Sequence, residues 1–222
     1  MIKADHNNIA QFLFYPYIKW LMKKHFAHFY LVNEPPKVIE DSSLLLTPNH
    51  ISWWDGFFIG HLEKKYYNRK VHIMMLEEQL KNFWFFSKVG AYSIKQESIK
   101  SFLETRAYTR ELISQSTNSV IVYPQGEIED YEKRPLTIKK GIKNILQNIN
   151  SDVTILPIGF KIQFHNEMKP VIAARFGMPM QSSLLTNNFS VFENEFHNNL
   201  ELLSDAVQSK KFILDLFGKD TK

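Results

Sequence analysis

Short apolar runs alternate along most of the chain with longer segments of helical period. The apolar runs predict strands at residues 44–46, 71–75, 89–94, 120–123, 153–158 and 171–176. The periodic segments predict helices at residues 54–63, 98–114 and 138–149, and a mostly helical tail over residues 184–217. Strands that alternate with helices favour a parallel sheet with right-handed crossovers. We therefore predict an α/β fold with a mostly parallel central sheet flanked by helices.

The N-terminal segment of residues 11–30 combines aromatic side chains with lysines. Eight of its twenty residues, QFLFYPYIKWLMKKHFAHFY, are Phe, Tyr or Trp, and Lys19, Lys23 and Lys24 interrupt them. Aromatic and basic side chains of this kind suit the headgroup boundary of a bilayer. We expect a helix that docks on a membrane surface; the alternative is a helix that covers the protein's own core.

Consecutive prolines in the sequence NEPPK, residues 33–37, separate this segment from the rest, because such prolines end helices. We place the boundary after residue 34, which gives an N-terminal helical segment, 1–34, and an α/β domain, 35–222. No run is long and apolar enough to span a bilayer, and the first residues lack the pattern of a secretory signal. We expect a peripheral, monotopic protein on the cytoplasmic face of a membrane.

Composition narrows the chemistry that the chain can perform. It has no cysteine, so disulfides, thiolate metal sites and cysteine nucleophiles are excluded. The formal net charge of +4 suits an anionic membrane or an anionic substrate as well as nucleic acid, and we expect no nucleic-acid partner. His61, His72 and His165 have no metal-ligand spacing. We expect no metal, and we interpret these histidines as surface residues or as hydrogen-bonded core residues.

His50 and Asp55 stand inside the apolar stretch LLLTPNHISWWDGFF, residues 44–58. Residues five apart on a regular helix are rotated by about 140°, so they would not meet there. At a turn from a strand to a helix they can meet. An aspartate that accepts the proton of one imidazole nitrogen fixes the tautomer and leaves the other nitrogen free as a base. The alternative is a helix-capping aspartate beside an incidental histidine.

A nucleophile to complete a hydrolase triad is missing from the sequence. There is no G-x-S-x-G elbow, and Ser52 is too close in sequence to His50 to be a strong candidate. A base without a protein nucleophile implies that the substrate supplies one, most simply a hydroxyl. The predicted reaction is direct group transfer to a substrate alcohol.

Four ordered blocks of the chain resemble the glycerolipid acyltransferase family, of the lysophosphatidic-acid type. The family's first motif, N-H-x-x-x-x-D, stands here as Asn49, His50 and Asp55. GAYSIKQ (90–96) is similar to the second block, VYPQGEIE (122–129) to the third, usually F-P-E-G-T-R, and VTILPIGF (153–160) to the fourth. RPLTIKKGI (134–142) resembles the family's approach to the helix that follows the third block.

The resemblance implies an acyl transfer in phospholipid biosynthesis, with acyl-CoA or acyl carrier protein as co-substrate and no cofactor. His50 would take the proton of a lipid hydroxyl, Asp55 would orient His50, and backbone N–H groups near residues 124–127 would hold the oxyanion. The substrate-binding residues expected from the motifs are Asn49, Ser52, Lys95, Gln96, Tyr123, Pro124, Gln125, Gly126, Glu127 and Arg134.

The second and third blocks depart from the family at the positions of its phosphate-associated arginines. Gln96 and Ile128 stand where arginine is usual, Gln125 replaces glutamate, and Glu127 replaces threonine. A neutral amide lacks the charged fork of arginine, and a carboxylate repels phosphate. The acceptor is therefore predicted not to be a simple phosphate monoester, but a neutral, zwitterionic, glycosylated or amine-bearing lipid. The alternative is a 1-acylglycerol-3-phosphate acyltransferase in which Lys95, Lys100 or Arg134 supplies the lost charge.

Weaker signals leave further alternatives open. NFWFF, residues 82–86, is interpreted as buried core, or else as a second membrane patch or part of an acyl-chain tunnel. Lys139, Lys140 and Lys143 predict a solvated face, or else a surface that docks a phosphopantetheine carrier or a coenzyme A phosphate. Two rival functions also remain: a thioesterase-like hydrolase in which His50 activates water, and a lipid-binding relative that has lost activity.

Overall fold

The computed structural model describes residues 1–38, 42–95, 98–149 and 151–218. The described helices are α1 Asn8–His25, α2 Asp55–Tyr66, α3 Glu77–Asn82, α4 Ile99–Ile113, α5 Gly141–Leu146, α6 Ser182–Asn187 and α7 Phe189–Gln208, with a 3₁₀ helix at Trp84–Val89. The described strands are β1 Phe29–Leu31, β2 Ser43–Pro48, β3 Lys70–Leu76, β4 Ala91–Ile94, β5 Asn118–Ile121, β6 Val153–Gln163, β7 Val171–Phe176, β8 Met180–Gln181 and β9 Leu214–Asp215.

All nine described strands belong to one sheet, in the order β4-β3-β5-β2-β6-β7-β1-β9, with β8 paired to β6 off this path. The five strands from β4 to β6 are mutually parallel. β7 runs antiparallel to β6, and β1 runs parallel to β7. The sheet is mostly parallel with helices around it, and the predicted α/β fold class is confirmed.

The central strand β2 is buried along its whole length, which explains its unbroken apolar sequence. Leu45 faces a core layer that includes Phe192, Phe196 and Leu200 of α7. Leu44 and Leu46 face the opposite layer, which includes buried residues of α2 such as Phe58 and Leu62. Because alternate residues of a strand point to opposite faces, β2 connects both layers and holds its C-terminal end rigidly in place.

Strands at one edge of the sheet are absent from the sequence prediction. Phe29–Leu31 lies inside the N-terminal segment 1–34 expected to be helical, but it forms β1 and pairs with β7. Leu214–Asp215 lies in the tail predicted as mostly helical, but it forms β9 and pairs with β1. Both strands are too short to show a period-2 pattern. Their pairing depends on contacts between the two ends of the chain, since the Asp215 carboxylate accepts bonds from the backbone of Phe29 and the ring of His28.

The helix α1, Asn8–His25, occupies much of the N-terminal segment that the sequence predicts as helical. Asn7 caps it by accepting a bond from the Ala10 N–H at 2.9 Å. Ile18 and Met22 are buried in the core, while Phe12, Leu13, Tyr17 and Trp20 are exposed. Across the described residues, each helix falls short of the length and apolar character needed to cross a bilayer. The division of the chain after residue 34 stays a prediction, and β1, which lies before it, is part of the central sheet.

Candidate active site

His50 lies in the turn between the end of β2 and the start of α2. The turn brings its Nδ1 atom to 2.9 Å from Oδ2 of Asp55, the first residue of α2. Asp55 is fully buried, and the side chain of His50 is 23% exposed. In open parallel sheets, reactive groups gather where strands end and helices begin, and this pair occupies such a point. The structure therefore gives the His–Asp contact predicted from the sequence.

The Asp55 carboxylate is held by bonds to the turn itself. Oδ2 accepts from the backbone N–H of Ile51 at 2.7 Å and of Ser52 at 2.8 Å, and Oδ1 accepts from the Ser52 hydroxyl at 2.6 Å. These bonds fix the carboxylate in the position that His50 Nδ1 contacts. With Nδ1–H donating to Asp55, Nε2 is the unprotonated nitrogen and can act as a base.

Gln125 fixes the backbone of His50 from the other side. Its amide oxygen accepts from the His50 N–H at 2.5 Å, and its amide nitrogen donates to the His50 carbonyl at 3.2 Å. The same nitrogen donates to Oε2 of Glu129 at 3.1 Å. Gln125 is fully buried and does not line the cavity described below, so the structure gives it a positioning contact with His50 in place of the expected contact with substrate.

Glu129 completes this support. Its N–H donates to the His50 carbonyl at 2.9 Å, and its carboxylate accepts bonds from Lys133, Thr137 and Gln125. Burial raises the pKa of Glu129, but these hydrogen bonds outweigh burial and lower it to about 2. The carboxylate is therefore ionised throughout the neutral range, which keeps it an acceptor for Gln125.

Tyr123 covers one face of the His50 ring. The two rings stack with centroids 4.1 Å apart and planes 20° apart. The Tyr123 hydroxyl is buried and has no hydrogen-bond partner among the described residues. Burial, with a smaller effect of Asp55, raises the pKa of Tyr123 well above its usual value, so the hydroxyl stays protonated. The ring restricts the imidazole to the plane in which it meets Asp55.

Asn49 and Ser52, both expected at the substrate, are engaged within the protein. The Asn49 side chain donates to the Phe160 carbonyl at 2.9 Å and accepts from the Phe160 N–H at 2.7 Å. It ties the end of β2 to β6, the strand of the fourth sequence block. The Ser52 hydroxyl donates to Asp55 and accepts from the Trp54 N–H at 3.2 Å.

A cavity of about 820 Å³ opens beside His50. Its wall is largely apolar and comes from α2, β3, the 3₁₀ helix and α4, with side chains such as Phe57, Ile73, Phe86 and Phe102. Tyr123, Pro124, Gly126 and Glu127 of the third sequence block also line it. The cavity brings a titratable base and a long apolar space together, as transfer of an acyl chain requires.

Lys95 and Arg134, which were also predicted at the site, lie away from this wall. Lys95 is exposed and does not line the cavity. The Arg134 guanidinium lies 4.3 Å from the centre of the Tyr131 ring and donates to the Tyr131 carbonyl, so it is engaged elsewhere. Lys100, the other candidate for a displaced charge, is exposed on α4 and also outside the wall. Gln96 lies outside the described residues.

The turn at Gly126 brings a cation to the third block. Lys139 Nζ lies 3.4 Å from Oε1 of Glu127, and both side chains are largely exposed. Gly126 has φ +72°, and a Cβ atom there would come within 3.1 Å of Lys139 Cδ. The positive φ favours glycine at this position, and a Cβ atom there would make the flexible end of the Lys139 side chain shift slightly. From the sequence, Glu127 is expected to repel a phosphate. The positive charge of Lys139 partly compensates the negative charge of Glu127.

The interpretation of NFWFF as buried core is wrong. Phe83 is 43% exposed, Trp84 64% and Phe85 37%, while Phe83 and Phe86 line the cavity. The segment forms the end of α3 and the 3₁₀ helix, which pack beside α1 at its exposed aromatic surface. The aromatic content of the segment is equally compatible with a buried core and with a partly exposed surface beside a cavity, so the sequence alone did not distinguish the two.

Each of the three scattered histidines has one ring nitrogen that is buried. The Nε2 atoms of His61, His72 and His165 have no hydrogen-bond partner among the described residues. They are thus neither simple surface residues nor satisfied core residues. Burial lowers the pKa of His61 to about 4 and that of His72 to about 3, with smaller contributions from nearby basic groups.

Residues that sequence reasoning missed include Arg106 and Phe102 of α4, which line the cavity. α4 has hydrophobic, small polar and basic residues on neighbouring faces, and only its packing shows which face meets the cavity. The positioning contacts of Glu129 were also missed, although Glu129 follows Gln125 by four residues and stood inside the third block.

A model of the acyltransferase family matches residues 30–161, more than half of the chain. The chain belongs to the acyltransferase family. The fold of this acyltransferase is similar to the crystal structure of the 1-acyl-sn-glycerophosphate (LPA) acyltransferase PlsC from Thermotoga maritima, with a TM-score of 0.56 and 14% sequence identity over 90% of this chain and 80% of that chain. A search of curated proteins gave no match.

The family membership confirms the resemblance on which the sequence analysis rested, and it establishes the chain as an acyltransferase. The matched residues include β2, the His50–Asp55 turn, α4 and the third block, and they end on β6. At 14% identity, the likeness to PlsC shows a shared fold and leaves the acceptor of this acyltransferase to be determined.

Proposed function

We propose that this acyltransferase moves a fatty acyl chain from a thioester donor, acyl-CoA or acyl carrier protein, to a hydroxyl of a lipid acceptor. The observation that carries the proposal is the opening of an 820 Å³ apolar cavity beside His50, whose Nδ1 is held by buried Asp55. The cavity provides space for the acyl chain, and the histidine provides the base.

His50 Nε2 takes the proton of the acceptor hydroxyl as its oxygen attacks the thioester carbonyl. The new C–O bond forms, the C–S bond breaks, and the imidazolium returns the proton to the leaving thiolate. Asp55 stabilises the imidazolium between these two steps. The Gly126 N–H donates to the Tyr123 carbonyl at 3.1 Å, so other N–H groups of residues 124–127 would have to hold the oxyanion.

The acceptor in this proposal is a lipid other than a simple phosphate monoester. Glu127 lines the cavity, and none of Lys95, Lys100 and Arg134 does. A 1-acylglycerol-3-phosphate acceptor is the second candidate, because Lys139 lies 3.4 Å from Glu127 and reduces the repulsion of a phosphate, and because Arg106 and Lys140 also line the cavity. Competition between lysophosphatidic acid and a neutral or amine-bearing lysolipid, under one acyl donor, distinguishes the two.

Docking to a membrane is part of the proposal. Tyr17 of α1 lines a second, shallower groove together with exposed Trp84 and Phe85, and this groove shares Phe83 and Phe86 with the cavity. Phe12 and Trp20 are exposed on the same helix. Lys19, Lys23 and Lys24 belong to the same helix. Such a surface suits peripheral contact with anionic lipid, which would place the protein on the cytoplasmic face.

Incubation of the purified protein with a labelled acyl donor and a total lipid extract tests the function, with His50→Ala as the matched control. A labelled lipid that forms only with the unchanged protein supports transfer. Release of free fatty acid that does not depend on a lipid acceptor would instead support the thioesterase alternative. Lipid binding without either product would support a relative that has lost activity.

A further inference from the structure

Four charged side chains of the described residues line the cavity together with His50. They are Arg106, Glu127, Lys139 and Lys140. Lys139 pairs with Glu127 at 3.4 Å, so these two charges largely cancel. Arg106 and Lys140 remain, and they give this part of the wall two positive charges that no carboxylate among the described residues compensates.

Arg106 is half-buried on α4, next to Thr105, and one turn after Phe102, all three on the cavity wall. Within the described part of the chain, its guanidinium has neither an ion pair nor a hydrogen bond. Arg110, one turn further along α4, differs: it donates to the Asn144 and Ile145 carbonyls at 2.8 Å. Arg110 is therefore a structural link between α4 and α5, whereas Arg106 is free to bind a ligand.

Lys140 approaches the same wall from the start of α5. Its ammonium group has no ion pair or hydrogen bond to any residue that the structure describes, and Asn144, one turn later, also lines the cavity. Lys140 is exposed, whereas Arg106 is half-buried. A half-buried cation without a partner loses hydration, and an anionic ligand restores the lost interactions. Arginine offers a planar fork of donors and lysine a compact charge, a combination suited to phosphate oxygens.

We propose that Arg106 and Lys140 form a phosphate-binding subsite on the α4–α5 wall of the cavity. These positions differ from those of Gln96 and Ile128, at which the resembling family carries arginine. The inference rests on the proposed function. The phosphate belongs either to the phosphopantetheine arm of the acyl donor or to the headgroup of the lipid acceptor. The same two cations would bind a phosphate from either source. Assays with substrates that carry or lack the phosphate distinguish the donor from the acceptor.

The test compares Arg106→Gln and Lys140→Gln with the matched control Lys100→Gln, which removes the same charge from the exposed face of α4. Each protein is assayed with acyl-CoA and with an acyl-pantetheine thioester that lacks phosphate. Each donor is combined with lysophosphatidic acid and with a monoacylglycerol. We expect the KM of the phosphate-bearing substrate to rise about 10-fold or more in the first two variants, with kcat changed much less.

A penalty with acyl-CoA that disappears with acyl-pantetheine assigns the phosphate to the donor. A penalty with lysophosphatidic acid that disappears with monoacylglycerol assigns it to the acceptor. Penalties equal to that of Lys100→Gln, or equal with and without phosphate, overturn the proposal. Arg106→Lys, which keeps the charge, should recover part of the loss and guards against a variant that fails to fold.

Binding gives an answer that does not depend on turnover. Calorimetry of coenzyme A and of short-chain lysophosphatidic acid is performed on His50→Ala protein with and without Arg106→Gln. Weakening of one ligand by about 10-fold supports the subsite even where transfer is not detected. Unchanged binding of both ligands would reject the subsite. Acyl transfer by the protein without substitutions would in that case still support the proposed function.

Discussion

The side-chain amide of Gln125 bonds to both the N–H and the carbonyl of His50, and its nitrogen also donates to Glu129. Only an amide makes this set of contacts, because it has a donor and an acceptor on one planar group. The residue that the family usually carries here, glutamate, would place a second carboxylate beside Glu129. A neutral amide at position 125 therefore suits the ionised carboxylate of Glu129, to which it donates a hydrogen bond.

Gln125→Glu should therefore destabilise this protein although it restores the usual residue of the family. The variant loses two donated bonds and brings like charges together, and we expect a loss of about 1–3 kcal/mol in the free energy of unfolding. Urea unfolding near neutral pH measures it. Adding Glu129→Gln should return much of the loss; a double variant as unstable as the sum of the two single variants would contradict the coupling.

Separate replacements of His50 and Asp55 should distinguish the contribution of the general base from that of the residue that orients it. His50→Ala removes the base, and we expect the transfer rate to fall by about 10²–10⁴-fold, the usual contribution of general base catalysis. Asp55→Asn should also lower the rate, since the amide can fix the wrong tautomer. Circular dichroism checks the fold, and a folded His50→Ala protein with unchanged turnover would reject the assignment.

We expect the ring of Tyr123 to matter for activity and its hydroxyl group to be dispensable. Tyr123→Phe keeps the stacking on His50 and removes a buried hydroxyl that has no partner among the described residues, so unfolding free energy should stay equal or rise by about 1 kcal/mol. Tyr123→Leu loses the flat contact and should lower kcat more than KM rises. Steady-state kinetics with thermal unfolding measure both; a large loss of activity in Tyr123→Phe would show that the hydroxyl acts on the substrate.

The exposed aromatic surface of α1 and the 3₁₀ helix should govern binding to vesicles. Deletion of residues 1–32 is unsuitable as a test because it removes β1 from the sheet. Phe12→Ser, Trp20→Ser and Trp84→Ser together leave the sheet intact and should reduce co-sedimentation with anionic vesicles, partly in a salt-sensitive way. Phe164→Ser, which changes an aromatic residue that is 65% exposed outside this surface, is the control. Equal reduction in both would reject the docking surface.

Much of the fold followed from the sequence because β2 and β6 are long, buried and unbroken, which makes their pattern independent of distant contacts. β1 was missed because it exists only through pairing with β7 and β9, and β9 was missed because it exists only through pairing with β1. The His50–Asp55 contact was predictable from their spacing at a strand end. The roles of Gln125 and Arg106 were not, since they depend on which atoms meet across elements that the sequence leaves far apart.

Acid should destabilise the protein through histidines that the fold keeps neutral. Burial, then His6 and then Lys70 lower the pKa of His72 to about 3, and burial lowers those of His6 and His61 to about 4. An unfolded histidine titrates near 6.5, so below that pH the unfolded state binds more protons than the folded state. Stability is then fully present above about pH 6.5 and falls as the pH drops toward 4. His72 alone should contribute a loss of about 2 kcal/mol between pH 6.5 and pH 5.

His72→Leu tests this contribution through the pH dependence of stability and not through stability itself, which the altered packing also changes. The difference in unfolding free energy between pH 7 and pH 5, measured by urea denaturation, should shrink in His72→Leu. It should stay as in the unchanged protein in His25→Leu, which replaces an exposed histidine. If His72→Leu keeps the full difference, the pKa of His72 is not lowered in the folded protein. The acid sensitivity between pH 7 and pH 5 would then arise from other groups, such as His61, whose pKa of about 4 makes its stabilisation fall as the pH drops below about 6.5.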